Sequence, residues 1–294
     1  MKKIAFIINP ISGGHKKEDI PKLIHSTLDE HMFSPSIVFT EYAGHAVSLA
    51  RGFADDGYYA VVAIGGDGTV NEVARGVRGS NTALGIVPLG SGNGLAHYAG
   101  IPLNVRSSIA LLNASNIIDI DYGVVNGNPF FSTFGIGFDA VVANDFASTN
   151  RGLWNYVRKV IKHFRTYNTK RYVIQFTNKE MAFDSFLISV ANMGEWGNRA
   201  CIAPKADYKD GLLDVVIVKN LSTYQAIKFA FLLFTNRIDK NRHVSLFKTD
   251  EVTIVRDDIS EPIHLDGTPM EIPGDLQIRV VHNGLKLLVK KNIN

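Results

Sequence analysis

The chain has 294 residues, of which 46% are hydrophobic and 20% are charged, and its formal net charge is +3. This composition excludes a disordered chain and suits two domains or one large one, and so small a net charge does not favour nucleic acid as a partner. The single cysteine, Cys201, excludes an intramolecular disulfide and a thiolate metal cluster, and it predicts a protein of the reducing cytoplasm.

Short apolar runs alternate with helical patterns from residue 4 to about residue 102. Such alternation predicts an α/β domain with a parallel sheet. The predicted strands are 4–9, 36–40, 60–64 and 84–87, and the predicted helices are 18–30, 43–54 and 69–77. Because the carboxyl ends of parallel strands meet at one edge of a sheet, we expect the loops after these strands to lie together where ligands bind.

The pattern becomes β-rich after about residue 121, which predicts a second, mostly antiparallel domain. The predicted domains are therefore 1–121 and 122–294, with the final strand assignable to either. The strands predicted here are 117–125, 130–134, 171–177, 183–191, 212–218, 251–256, 263–265, 276–281 and 285–290. Turn signals such as Asn126-Gly127 and Asp266-Gly267 separate them.

Four loops rich in glycine or hydroxyl groups follow the strands of the first domain. They span residues 9–14, 40–45, 65–69 and 88–94. Glycines let backbone N–H groups approach phosphate oxygens, and a helix N-terminus adds a favourable partial positive charge. The loops therefore predict phosphate binding, although glycine after a strand is also ordinary turn chemistry.

Asp67 and its neighbours admit different roles within the third loop. Asp67 stands between two glycines, ahead of the helix predicted at 69–77, so it predicts a ligand for a metal ion that bridges nucleotide phosphates. Thr69 and Glu72 have the spacing of a capping box, which predicts a structural role at the start of that helix.

Neither common nucleotide fingerprint is expected to operate in this chain. No G-x-x-x-x-G-K-[ST] occurs, which excludes the P-loop class. One G-x-G-x-x-A, at residues 135–140, follows an apolar strand. No acidic residue lies about 20 positions further on, where a ribose partner is expected.

Four motifs occur in a fixed order along the chain. They are Asn9-Pro10 with Ser12-Gly13, Gly65-Gly66-Asp67-Gly68-Thr69 with Asn71-Glu72, Pro88-Leu89-Gly90-Ser91-Gly92-Asn93, and Asp210-Gly211-Leu212-Leu213-Asp214. Together they resemble the diacylglycerol kinase catalytic-domain family, which includes bacterial YegS-type lipid kinases and sphingosine kinases. The resemblance runs from residue 4 to about residue 266. It implies an ATP- and Mg²⁺-dependent kinase that phosphorylates a lipid hydroxyl.

The resemblance also implies an architecture and a set of ATP contacts. The fold would join a NAD kinase/diacylglycerol kinase-like α/β domain to a β-rich lipid domain, with the active-site cleft between them. Ser91 replaces a common threonine and keeps the hydroxyl, whereas Gly94 replaces a common aspartate. The implied ATP contacts are Asn9, Pro10, Ser12, Gly13, Thr40, Gly66, Asp67, Gly68, Thr69, Asn71, Glu72 and Ser91.

A carboxylate-rich loop at residues 206–214 precedes an apolar strand. Its oxygen ligands suit Mg²⁺, and an Asp-Gly turn that needs no metal is the alternative. The resemblance implies a structural magnesium site formed by Asp207, Asp210 and the carbonyl of Leu212.

Phosphoryl transfer to a hydroxyl needs a carboxylate that orients or deprotonates it. In related kinases an Asp-Gly-Glu motif is proposed to supply this base, whereas here the motif is Asp266-Gly267-Thr268. Asp266 is therefore the predicted catalytic residue, followed by Asp67 and Glu271. A hairpin turn at Asp266-Gly267 is the alternative.

Two segments bear on contact with a membrane. Segment 151–171 contains no acidic residue and combines aromatic side chains with Arg151, Arg158, Lys159, Lys162, Arg165, Lys170 and Arg171. This favours either an anionic membrane surface or an ordinary solvated helix. The apolar run at 226–235 contains Lys228 and is too short for the roughly 20 residues that span a bilayer, so it predicts a core helix.

The preferred hypothesis is a cytoplasmic lipid kinase whose substrates are ATP and a lipid at a membrane surface. Peripheral attachment to the inner membrane face and formation of a homodimer are both compatible with this hypothesis. One alternative is a NAD-kinase-like phosphotransferase, favoured by residues 65–72 alone. The other is a catalytically weak nucleotide- or lipid-binding regulatory protein, suggested by Thr268.

Overall fold

A computed structural model describes residues 1–12, 19–147, 153–164, 166–196 and 200–291; within it, the side chains of residues 146, 147 and 153–157 are not described. The chain forms two compact units. The first contains Met1–Asp121 and the chain from Asn283 onward, and the second contains Tyr122–His282.

The first unit is an α/β domain. Its elements are β1 (Lys2–Ile8), α1 (Ile20–Thr27), β2 (Phe33–Phe39), α2 (His45–Asp55), β3 (Ala60–Gly65), α3 (Asp67–Val77), β4 (Ala83–Pro88), α4 (Gly94–Tyr98), α5 (Val105–Leu112) and the start of β5 (Ser115–Val125). The four strands β2-β1-β3-β4 are parallel, with Ile8 beside Ile64 and Ile64 beside Val87 in register. The predicted α/β domain with a parallel sheet is confirmed.

Uninterrupted apolar sequences explain the central strands of this sheet. Every residue of β3 and β4 is buried, as expected when helices cover both faces of a parallel sheet. Ile4, Phe6 and Ile8 of β1 enter a core that includes Ile24 of α1 and Ile109 of α5. This packing fixes the carboxyl ends of the strands, from which the glycine-rich loops emerge.

The second unit is mostly antiparallel, as predicted. Its elements are the end of β5, β6 (Asn128–Phe130), β7 (Thr133–Gly137), α6 (Phe138–Ala147), α7 (Leu153–Phe164), β8 (Lys170–Phe176), β9 (Lys179–Ala191), β10 (Leu213–Lys219), α8 (Thr223–Phe234), a short 3₁₀ helix (Ile238–Lys240), β11 (Val244–Thr249), β12 (Glu251–Arg256), β13 (Ile263–Leu265), β14 (Thr268–Met270) and β15 (Leu276–Lys290).

Alternating side chains of this sheet enter two cores. In β10, Val215 and Ile217 join a core shared with β7, β8, β9, β12, β13 and β15. The intervening Val216 and Val218 face the opposite side, where they pack with α6 and α8. The period of two is that of a strand buried on both faces, and it places the three helices α6, α7 and α8 on one face of the sheet.

The structure corrects three strand predictions. Predicted strand 130–134 is interrupted, because β6 ends at Phe130 and β7 begins at Thr133. Predicted strands 276–281 and 285–290 are one strand, β15, whose first part pairs with β12 and whose Leu287 pairs with Leu84 of β4 in the first unit. Strands β11 and β14 were not predicted; β11 pairs with β10, and β14 pairs with β13.

The helices of the described ranges are all short. The longest, α7 and α8, have 12 residues each, which is about 18 Å at the usual rise. None of them is both long enough and apolar enough to cross a bilayer.

Candidate active site

The first loop of the parallel sheet is anchored by Asn9. Its side-chain amide donates to Oγ1 of the buried Thr69 at 3.0 Å, and its Oδ1 accepts the N–H of Ile11 at 3.1 Å. The sequence separation of 60 residues between Asn9 and Thr69 shows that two of the predicted phosphate loops meet at the sheet edge. The predicted clustering of these two loops is therefore present in the structure.

Asp67 joins the third and fourth loops. Its Oδ2 accepts the backbone N–H of Asn93 at 2.8 Å, and its Oδ1 accepts that of Gly94 at 2.7 Å. A Cβ atom at Gly92 would lie 2.7 Å from Asp67 Oδ2, so a larger residue at position 92 would have to displace this carboxylate. Helix α3 begins at Asp67 itself, so the expectation that the residue precedes the helix was wrong.

The predicted capping box of Thr69 and Glu72 is not formed. No side chain caps the start of α3, because the Thr69 hydroxyl is the acceptor for Asn9 and Glu72 points to another helix. The Glu72 carboxylate accepts the N–H groups of Gly44 and Ala46, at 3.0 and 3.2 Å. Glu72 therefore caps α2, where the positive end of the helix dipole favours a carboxylate.

The remaining predicted ATP contacts lie around these anchors. Pro10, Gly68 and Ser91 are exposed, whereas Ser12, Thr40, Gly66 and Asn71 are partly exposed. The backbone N–H groups of Ser12 and Thr40 bond to the carbonyls of Asn9 and Ile8. Gly13, predicted with them, lies outside the described residues.

The predicted magnesium loop is a tight turn in the second unit. Asp207 Oδ1 accepts the N–H of Lys209 at 3.1 Å, and Asp210 Oδ1 accepts that of Leu212 at 3.0 Å. The second oxygen of Asp210 is 2.6 Å from Nζ of Lys248 on β11, which also forms an ion pair with Asp214 at 3.1 Å.

Lys248 sets the electrostatics of this loop. Burial raises the pKa of Asp214, and the ammonium of Lys248 opposes that effect. Burial disfavours the charged Lys248, but its bonds to Asp210 and Asp214 outweigh this and raise its pKa. Asp210 and Asp214 therefore already have a cationic partner on β11.

Asp266 lies at a left-handed turn position, with φ of 51°. Its Oδ1 accepts the N–H groups of Ser132 and Thr133, at 2.7 and 3.0 Å, and its Oδ2 accepts that of Phe131 at 2.9 Å. Both carboxylate oxygens are thus fixed by the bend between β6 and β7. The next strand, β14, begins with the exposed Thr268.

Two family models cover most of the chain. The diacylglycerol kinase catalytic domain matches residues 3–125, and the YegS C-terminal NAD kinase beta sandwich-like domain matches residues 132–289. The chain belongs to the YegS-like lipid kinase family. The predicted resemblance is confirmed.

Individual members of the family are similar over most of their length. A "Probable lipid kinase YegS-like" of Pseudomonas aeruginosa is 31% identical, over 76% of this chain and 73% of its own. A "Diacylglycerol kinase" of Bacillus subtilis is 26% identical, over 90% and 89% of the two chains. The "Crystal structure of a putative diacylglycerol kinase from Bacillus anthracis str. Sterne" has a TM-score of 0.83 at 21% identity, covering 99% and 98%, and shows the shared fold.

Membership of the YegS-like family accounts for the features that first suggested a NAD kinase. The likeness to NAD kinases is one of fold, which the description of the second domain names. The G-x-G-x-x-A segment forms the end of β7 and the start of α6. A Cβ atom at Gly135 would lie 2.2 Å from Nε2 of His264, and His264 pairs with Asp139 at 3.1 Å in the buried interior.

Sequence analysis missed Lys248 and the His264–Asp139 pair. Lys248 is 38 residues from Asp210 and His264 is 125 residues from Asp139, so no local spacing indicated either contact. The free thiol of Cys201 is buried, and burial raises its pKa to about 11. The thiol therefore stays protonated at neutral pH.

Proposed function

We propose that this kinase transfers the γ-phosphate of ATP to the hydroxyl group of a diacylglycerol-like lipid. The observation that carries the proposal is the Asp67 carboxylate, which holds the loop at residues 91–94 against the start of α3. This arrangement presents the exposed Gly68 and Ser91 beside a helix N-terminus, where phosphate groups are favourably bound. The named relatives support a lipid as the acceptor.

ATP would be bound by the loops at the carboxyl edge of the parallel sheet. The hydroxyl groups of Ser12, Thr40 and Ser91 suit the sugar and phosphates, as glycine backbone does at Gly66 and Gly68. Asn9, Thr69 and Glu72 act by holding these loops, since their side chains bond to Thr69, Asn9 and α2. The residues proposed to form the ATP site, by direct contact or by holding its loops, are Asn9, Pro10, Ser12, Gly13, Thr40, Gly66, Asp67, Gly68, Thr69, Asn71, Glu72 and Ser91.

A magnesium ion would be held by Asp207, Asp210 and the carbonyl of Leu212. Two carboxylates and a carbonyl within one turn are the hard oxygen donors that Mg²⁺ prefers, and bound water completes its shell. No cluster of three or more His, Cys, Asp or Glu side chains suited to a metal exists among the described residues, so the ion would depend on the carbonyl and water. Bound Mg²⁺ would stabilise the loop by neutralising its carboxylates.

Asp266 is proposed to orient the lipid hydroxyl and accept its proton. In that step the hydroxyl oxygen forms a bond to the γ-phosphorus, the bond from this phosphorus to ADP breaks, and the hydroxyl proton passes to the carboxylate. The backbone donors of residues 131–133 fix the carboxylate in position, which is the preorganisation that catalysis requires.

The test is phosphorylation of a panel of acceptors by the purified chain with labelled ATP. The panel contains diacylglycerol, ceramide, sphingosine and monoacylglycerol in detergent micelles, and NAD as a non-lipid acceptor. Labelled phosphate in a lipid that depends on added Mg²⁺ is expected. Labelling of NAD alone would replace the proposal with a NAD kinase.

The second candidate is a nucleotide- or lipid-binding protein with little turnover. Thr268 favours it, because threonine stands where relatives carry the proposed glutamate base. ATP binding by calorimetry together with no labelled product from any acceptor would support this candidate.

A further inference from the structure

Helix α8 begins with a complete capping box. The Ser222 hydroxyl accepts the N–H of Gln225, and the Gln225 side chain accepts the N–H of Ser222 at 2.8 Å. One face of the helix, with Phe229, Leu232 and Leu233, is buried against the sheet. This half agrees with the predicted core helix.

The opposite face of α8 is also apolar, and it is exposed. Tyr224, Ile227, Phe231 and Phe234 expose 78%, 67%, 65% and 60% of their surface. Spacings of three and four residues place them along one side of the helix. A surface helix normally carries polar residues there, so the expectation of a purely core helix was wrong for this face.

Basic residues precede, follow and lie within α8 in the sequence. Between residues 219 and 242 the chain has one acidic residue, Asp239, and five basic ones, all exposed: Lys219, Lys228, Arg237, Lys240 and Arg242. Lys228 lies on the helix itself, next to Ile227. The combination of aromatic and aliphatic side chains with flanking positive charge matches the interfacial helices that lie on anionic bilayers.

Helix α7 packs on the same face of the sheet as α8. Its Val160 and Phe164 pack against the core that also buries Phe229 and Leu233 of α8. On its outer side, Arg158 and Lys162 are exposed, and Ile161 exposes 53% of its surface. The helical layer of the second unit therefore presents further apolar and basic groups.

We propose that the exposed face of α8 rests on an anionic lipid bilayer. Tyr224, Ile227, Phe231 and Phe234 enter the boundary between headgroups and acyl chains, while the basic residues contact lipid phosphates. A second copy of the chain is a poorer occupant, because it would bring another basic surface against this one. The inference rests on the proposed function, since it explains how an enzyme with a lipid substrate reaches it.

The experiment is co-sedimentation of the purified chain with phosphatidylcholine vesicles, with and without phosphatidylglycerol, in the absence of ATP. Wild type is expected to bind only the anionic vesicles, less at high salt. The double variant Phe231→Ser/Phe234→Ser should bind about tenfold or more weakly, because it removes two interfacial aromatic side chains. Ile259→Ser, at another residue with 57% exposure, is the matched control and should bind like wild type.

The outcomes separate this inference from the proposed function. Equal binding by wild type and the double variant overturns the inference, as does a failure of wild type to bind anionic vesicles while it phosphorylates micellar lipid. Vesicle binding without phosphorylation of any lipid leaves the membrane contact standing and overturns the kinase proposal alone. A wild-type dimer that the double variant dissociates, with no vesicle binding, assigns the face to a second copy.

Discussion

The carboxylate of Asp67 accepts the backbone N–H of Asn93 at 2.8 Å. Asn93 has a left-handed backbone, with φ of 51°, at the start of α4. Its side chain also bonds to both backbone groups of Gly90, at 2.9 and 2.7 Å. Asp67 thus holds a loop that Asn93 already orders. A substitution of Asp67 is therefore expected to change both turnover and stability.

Asp67→Ala is expected to lower turnover by about a hundredfold or more, because an electrostatic group in a phosphoryl-transfer site has effects of that size. It should also lower stability by roughly 1–3 kcal/mol, since two backbone N–H groups lose their acceptor. Kinase assays and thermal melts measure the two effects. Asp67→Asn retains one acceptor, so it should recover part of the stability and little turnover; near-normal turnover in both variants would contradict the assignment.

Glu72→Ala should lower stability by about 1 kcal/mol through loss of the α2 cap. The carboxylate bonds to Gly44 and Ala46. We therefore expect a clearly lower melting temperature and only a small change in the KM for ATP. Glu41→Ala, at an exposed carboxylate in the preceding loop, is the control. A large rise in KM with an unchanged melting temperature would instead make Glu72 a direct ATP contact.

Lys248→Met should lower the melting temperature, and Mg²⁺ should restore part of the loss by replacing the missing positive charge. The pKa of Asp214 is already raised by burial and should rise further without Lys248. A carboxyl group with a raised pKa stabilises the fold when protonated, so stability is lost as the pH rises. The deficit of Lys248→Met relative to wild type should therefore be larger at pH 8 than at pH 5.

Chelation supplies the complementary measurement on wild type. If Mg²⁺ occupies the loop, EDTA should lower the melting temperature, and Asp210→Asn should remove that response. The control is Lys286→Met, which breaks the more exposed ion pair to Asp119 at 2.8 Å and should have little effect. No effect of EDTA on either wild type or Lys248→Met would leave the loop without a metal.

Asp266→Asn should suppress turnover while nucleotide affinity survives, because the amide cannot accept the proton. The melting temperature should fall modestly as well, since an amide has one acceptor oxygen for the three N–H groups of residues 131–133. Turnover is therefore compared at a temperature where both proteins are folded. Unchanged turnover in Asp266→Asn would exclude it as the base.

Thr268→Glu tests the same site by adding a carboxylate two residues after Asp266. The substitution restores the carboxylate of relatives at an exposed position, so turnover should rise or stay level. Thr268→Gln has the same size without the charge and should not raise turnover. An active Thr268→Glu variant of an inactive wild type would identify the natural chain as a binding protein.

Local patterns predicted the elements that depend on local sequence. The apolar runs of β1, β3 and β4 and the Asp266-Gly267 turn fall into this class. The partners of Glu72 could not be predicted, because its capping-box spacing to Thr69 is local while its real donors are 26 and 28 residues away. The exposed face of α8 was missed for a different reason: when two opposite faces of a helix are both apolar, the sequence pattern does not show which of them is covered.

Strand β15 makes the first unit depend on a segment that follows it by more than 150 residues in the sequence. Asn283 donates its N–H to Asp121 at 2.7 Å, and the carbonyl of Gly284 accepts the N–H of Gly79 at 3.0 Å. Leu285, Leu287 and Leu288 are buried in the same unit. During translation the loops after β1, β3 and β4 leave the ribosome long before the strand beside β4 exists, so this unit can reach its final form only after residues 283–290 have been made.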